Sequence, residues 1–143
     1  MLKELFPDWR YSPAASAEAI SQAEAALGLR FPEELRNLYL EADGVRENVG
    51  NAKYLLSLTE EDSIGSLVTL TKFHWEEWTH LAPEFDLKPY IFFGCSNSDE
   101  VWGINWKAPT QVIAFHHHME GEFEVVGTNI LEVYKANFAS YEL

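Results

Sequence analysis

The chain has 143 residues, near the commonest size for one domain, and a domain of this length buries roughly 68–70% of its unfolded surface without needing disulfides or metals. A composition of 47% apolar and 14% aromatic residues excludes a disordered chain. A formal net charge of −13, from 23 acidic and 10 basic residues, argues against direct binding of nucleic acid, whose phosphates it would repel, and favours basic partners.

The opening stretch carries Leu2, Leu5, Phe6, Trp9 and Tyr11. It is too apolar for a free tail and is expected to dock on the body. The run MLKELFPDWRYSP shows no long apolar stretch and no cleavage pattern, so it is not read as a signal peptide. No segment approaches the roughly 18 apolar residues of a membrane span, and the cytoplasm is the default expectation. No repeat or linker divides the chain, so residues 1–143 are read as one domain.

Two short amphipathic helices come next. Ser12 before Pro13, or Ser16, caps the first, with Ile20, Ala23 and Leu27 on one face and Gly28 as a left-handed stop. Pro32 starts the second, with Glu33 and Glu34 in the first turn, where the helix dipole favours them. Leu35, Leu38, Tyr39 and Ala42 form its apolar stripe, and Gly44 closes it. Residues 52–58 suit a strand. The start of segment 66–81, SLVTLT, could be strand. From Leu70 on, Leu70, Phe73, His74, Trp78 and Leu81 make a broad helical stripe that Pro83 stops.

After Pro89 the pattern changes to period two. Residues 90–95 (YIFFGC) form an apolar central strand, SNSD a polar turn, and residues 100–106 a strand with Trp102, Ile104 and Trp106 on one side. Residues 111–116 and 122–126 complete an antiparallel meander joined by a Glu-Gly turn. Asn129 with Glu132 three residues on starts a last helix bearing Ile130, Val133, Tyr134 and Phe138. The fold class expected is α+β: an antiparallel sheet of about four to six strands with helices packed on one face and at the ends.

This order and its punctuation resemble the SUKH superfamily, which includes bacterial immunity proteins and fungal cell-wall-assembly regulators. Ile20, Glu24, Leu27 and Gly28 match the family's I-x-x-x-E-x-x-L-G opening. Phe31-Pro32 with Glu34-Leu35 stand at its Leu-Pro and helix. Tyr39 through Asp43-Gly44 are similar to its helix end, and Val125 to Phe138 to its closing strand and helix. IFFGCSNSDEVWGIN fits its central hairpin. The resemblance implies a non-enzymatic binding module, in bacteria often an immunity protein against a polymorphic toxin, many of them nucleases. An acidic protein suits a basic nuclease groove as a phosphate mimic. A regulatory scaffold binding an endogenous protein is the alternative, and an enzyme of unassigned chemistry the third. A monomer or weak homodimer is expected, without cofactor.

Acidic clusters at Glu60-Glu61-Asp62, Glu76-Glu77 and Asp99-Glu100 are the candidate partner surface, each alone also readable as a solvated turn or helix face. Trp75 and Trp102 are candidate aromatic anchors, since interface energy concentrates on Trp, with core the favoured role for Trp102. His116 and His118 share one side of a strand and with Glu120 could begin a metal site, but the remaining ligands of a structural zinc site are not supplied. His74 beside Trp78 reads as a poised base or, preferably, as a packed histidine, because no nucleophile accompanies it. Glu122 and Glu124 share one strand face and read as a solvated edge rather than a paired-carboxylate site. Cys95, the only cysteine, reads as a small hydrophobe. No P-loop, dinucleotide fingerprint, nucleophile elbow or zinc-protease helix is present.

Overall fold

The computed structural model describes residues 2–48, 52–59, 66–81, 86–95, 100–116 and 122–138, with the side chains of 79–81, 122–123 and 138 excepted. The described elements are α1 (Leu2–Leu5), β1 (Arg10–Tyr11), α2 (Ala17–Leu27), α3 (Glu33–Glu41), β2 (Val45–Arg46), β3 (Lys53–Leu55), α4 (Leu67–Leu81), β4 (Tyr90–Cys95), β5 (Glu100–Asn105), β6 (Val112–His116), β7 (Glu122–Gly127) and α5 (Ile130–Phe138). The seven described strands form one antiparallel sheet in sequence order, β1 to β7. The sheet is wider than the four to six strands expected because β1 and β2 contribute only two residues each, too few for a periodic signal.

Local chemistry explains where the helices start and stop. The Ser16 side chain accepts from Ala19 N–H, so the later of the two serines caps α2, and Gly28 ends it at φ 72°. The segment SLVTLT is helix from Leu67 rather than strand: the Ser66 hydroxyl accepts from Thr69 N–H and caps the start of α4. In α5 the Asn129 side chain accepts from Glu132 N–H, as the capping pattern predicts. The expected strand over 52–58 is shorter, because from Leu58 the backbone turns to bond Asp43.

Strand β4 is buried along its whole length, and β5 and β6 nearly so. Such strands need cover on both faces. On one face His74 of α4 stacks on Phe92 at 4.3 Å, and Trp78 meets Phe115 edge-on at 4.9 Å. On the other, Trp102 packs against Tyr134 of α5 and Tyr54, with Trp9 of the opening arm behind them. The helices therefore lie against both faces, and the arm docks as expected, with Leu2 and Phe6 buried. Burying each such large side chain contributes about 1.5–3 kcal/mol.

One element departs from its predicted face. Phe73 is 45% exposed although its spacing from Leu70 placed it in the α4 stripe. At about 100° per residue, Leu67, Leu70, Thr71, His74 and Trp78 share an arc that leaves position 73 outside. Thr71 takes the inner place: its hydroxyl accepts from Phe92 N–H at 3.0 Å, tying α4 to β4. Leu81 and Phe138 lie in helices but their side chains fall outside the described ones, as does Pro83 entirely.

Candidate protein-binding surface

The signature carboxylates Glu24, Glu34 and Asp43 are all engaged within the fold. Glu24 accepts from Phe31 N–H at 2.7 Å and lies 3.5 Å from Arg36, bracing the turn between α2 and α3. Glu34 accepts from Ile130 and Leu131 N–H at 2.7 and 3.1 Å, filling the N-terminus of α5. Asp43 accepts from Leu58 N–H and from the Ser57 and Thr59 hydroxyls, holding the segment after β3. Tyr39 donates to the Leu56 carbonyl at 2.5 Å. Each signature group is spent on architecture. Among the described residues, no buried side-chain nitrogen or oxygen lacks a hydrogen-bond partner.

The described candidate partner residues divide between α4 and β5. Glu76 and Glu77 are exposed on the outer side of α4, with Phe73 beside them. Trp75 is half-buried, and its indole N–H donates to the Tyr90 carbonyl at 2.9 Å. Glu100 opens β5 and stands 3.6 Å from His116, which also lies 3.4 Å from Glu124 of β7. Trp102 is core, 1% exposed. Glu60, Glu61, Asp62 and Asp99 lie outside the described residues.

The remaining constellations resolve into packing where they are described. His74 is fully buried, and its Nδ1 donates to the Leu70 carbonyl at 2.8 Å, one turn back in the same helix. Cys95 is buried, and burial pushes its thiol up from the ordinary value. Of the histidine run only His116 is described, so the pairing with His118 and Glu120 lies outside the described residues. Among those residues no group of three or more His, Cys, Asp or Glu side chains is placed to hold a metal ion. Nor is any helix among them long and apolar enough to cross a membrane.

Phe73 is the functional candidate that sequence periodicity missed. Its neighbours at one turn carry the signal: a helix arc centred on positions 67, 71, 74 and 78 excludes it. The Phe73 ring stands edge-on to His74 at 5.5 Å and leaves nearly half its surface exposed beside Glu76 and Glu77, as Leu40 and Val125 are exposed elsewhere.

A family model described as SMI1 / KNR4 family (SUKH-1) matches residues 14–135. The match begins just before α2 and ends inside α5, so it covers the scaffold contacts of Glu24, Glu34 and Asp43. No curated protein matches the chain.

Proposed function

The chain belongs to the SMI1 / KNR4 (SUKH-1) family, and from that premise we propose that it is a non-enzymatic protein-binding module, an immunity protein that neutralises a polymorphic toxin through an acidic surface. The observation that carries the reading is the outer side of α4. There Phe73 stands 45% exposed next to exposed Glu76 and Glu77, while the signature carboxylates are engaged in holding the fold. A toxin with a basic groove, a nuclease among them, complements a chain of net charge −13 in sign. The apolar ring supplies desolvated contact and the carboxylates steer approach.

A regulatory scaffold binding an endogenous protein shares the family and the same surface. The partner's identity separates the two. Co-expression with the product of the gene beside its own is the direct experiment. The immunity reading expects a stable complex and rescue of growth when that product is toxic. It expects Phe73→Ala combined with Glu76→Lys and Glu77→Lys to abolish rescue while the fold persists. Complex formation without any toxicity to relieve would favour the scaffold. Rescue undiminished in the triple variant would remove α4 from the binding surface.

A further inference from the structure

A second surface of the opposite character lies between the end of α2, the inner flank of α4, and the segments that enter β4 and leave β5. It is an open groove of about 390 Å³, and Trp75 and Trp106 form its aromatic walls. Both indole N–H groups are spent inside the fold. Trp75 donates to the Tyr90 carbonyl at 2.9 Å and Trp106 to the Lys88 carbonyl at 3.1 Å. The backbone N–H of Trp106 also bonds the Pro89 carbonyl at 3.0 Å, so the wall is fixed to the floor. What the tryptophans present to the groove is therefore ring surface rather than donors.

The rim carries two lysines against one carboxylate, Asp86. The whole chain has 10 basic residues against 23 acidic ones, yet exposed Lys88 and Lys107 both line this groove. The ammonium of Lys107 stands 5.1 Å from the Trp106 ring, within cation–π range, which holds the cation at the mouth. The carboxylate among the lining residues, Asp86, accepts the backbone N–H of Lys88 at 3.3 Å. Leu29 and Pro89 add apolar floor.

We propose that this groove binds an extended acidic peptide segment of a partner protein, seating an apolar or proline residue against Trp75 and Trp106 and its carboxylates against Lys88 and Lys107. Open aromatic grooves suit extended chains, whose ordering cost is low when proline pre-forms them. Lys88 and Lys107 select against the basic segments that the acidic parts of this surface attract. The site is independent of the α4 outer surface and opposite to it in charge, so either can fail alone.

The probe is the peptide acetyl-Glu-Asp-Pro-Phe-Glu-Asp-amide, titrated into the ¹⁵N-labelled protein at 0.15 M salt. The chain has five tryptophans, and each indole N–H gives its own resonance. The expected result is saturable shifts at the Trp75 and Trp106 indoles, and none at these sites with the peptide whose acids are replaced by lysine. Lys88→Gln with Lys107→Gln, both at exposed positions, should weaken the acidic peptide at least tenfold with the free spectrum otherwise unchanged. The double variant separates this from a general electrostatic effect, because basic side chains elsewhere, such as Arg10, Arg46 and Lys53 on β1 to β3, are left in place. The proposal is overturned if the acidic peptide shifts neither indole at millimolar concentration. It is equally overturned if the lysine peptide binds there as well, or if the double variant binds with wild-type affinity.

Discussion

Glu34 belongs to the first turn of α3, but its carboxylate serves another helix, 96 and 97 positions along the chain. Two N–H groups at the start of α5 would otherwise be orphaned, and an anion there also meets the positive end of the helix dipole. Hydrogen bonds to a charged group contribute about 1.5–3 kcal/mol. Glu34→Ala should therefore lower stability by about that amount, and Glu34→Gln by less, since the amide keeps one acceptor oxygen. Urea denaturation measures both. An alanine variant with the wild-type midpoint would show that water replaces the carboxylate without loss.

Two tyrosines set a limit at high pH. Burial raises the phenols of Tyr39 and Tyr134 well above their ordinary value of 10.0, with nearby Asp43 adding to the first and Glu34 to the second. Each donates to a backbone carbonyl, Tyr39 to Leu56 and Tyr134 to Tyr54. A group whose pKa is raised by folding contributes stability in full below the unfolded value and loses it as pH climbs toward the folded one. Stability should hold level below pH 10.0 in respect of these groups and decline above it. Phenolate absorbance and circular dichroism, followed together, should show these two rings ionising only as the chain unfolds. Ionisation of every tyrosine with the dichroism intact would contradict the burial.

At the scale of elements, two glycines separate two kinds of constraint. Gly28 closes α2 at φ 72°, with nothing within 4 Å of where a Cβ would stand. Gly28→Ala should cost only the backbone strain of about 1–2 kcal/mol, and Gly28→Asn less. Gly94 lies where β4 runs beside its neighbour β3, and a Cβ there would fall 2.1 Å from the Tyr54 carbonyl oxygen. Backbone cannot step aside as a side chain can. Gly94→Ala should exceed the ~1–3 kcal/mol of ordinary overpacking and disrupt the β3–β4 pairing. Amide exchange at Leu56, whose N–H bonds the Phe93 carbonyl, would report that loss, and unchanged protection there would refute the clash.

The same division explains what was readable in advance. Gly28, Pro32 and the Asn129–Glu132 pair act within a turn of their own position, so the stop of α2 and the starts of α3 and α5 were legible, whereas α3 stops at Glu41, short of the Gly44 expected. Strands β1 and β2 exist because Arg10 and Tyr11 pair with Arg46 and Val45 some 35 positions away, which no local window contains. The roles of Glu24, Glu34 and Asp43 were likewise hidden, since they are defined by backbone partners 7, 96 and 15 positions away. At the candidate site, the acidity of Glu76-Glu77 was plain, whereas the exposure of Phe73 required knowing that Thr71 faces β4.

For the molecule as a whole, a sheet covered on both faces leaves the outer sides of the helices and the rims for recognition. On the proposed reading, the net charge of −13, Glu76 and Glu77 included, acts over the approach of a basic partner, while Phe73 acts at contact. These two contributions have different signatures. Long-range steering is screened within about 8 Å at physiological ionic strength, so it shows in the association rate and its salt dependence. Desolvated contact shows in the dissociation rate. With a cognate basic partner, the wild-type association rate should fall at least about tenfold between low salt and ~0.5 M. Glu76→Lys with Glu77→Lys removes four negative charges' worth of attraction and should lower the low-salt association rate and flatten its salt slope. Phe73→Ala leaves charge untouched and should raise the dissociation rate instead, by the roughly tenfold or more that a truncated aromatic anchor costs. Surface plasmon resonance over a salt series separates the two. If both variants changed only dissociation, attraction at a distance would play no part, and the acidity of this chain would serve its own solvation rather than the encounter.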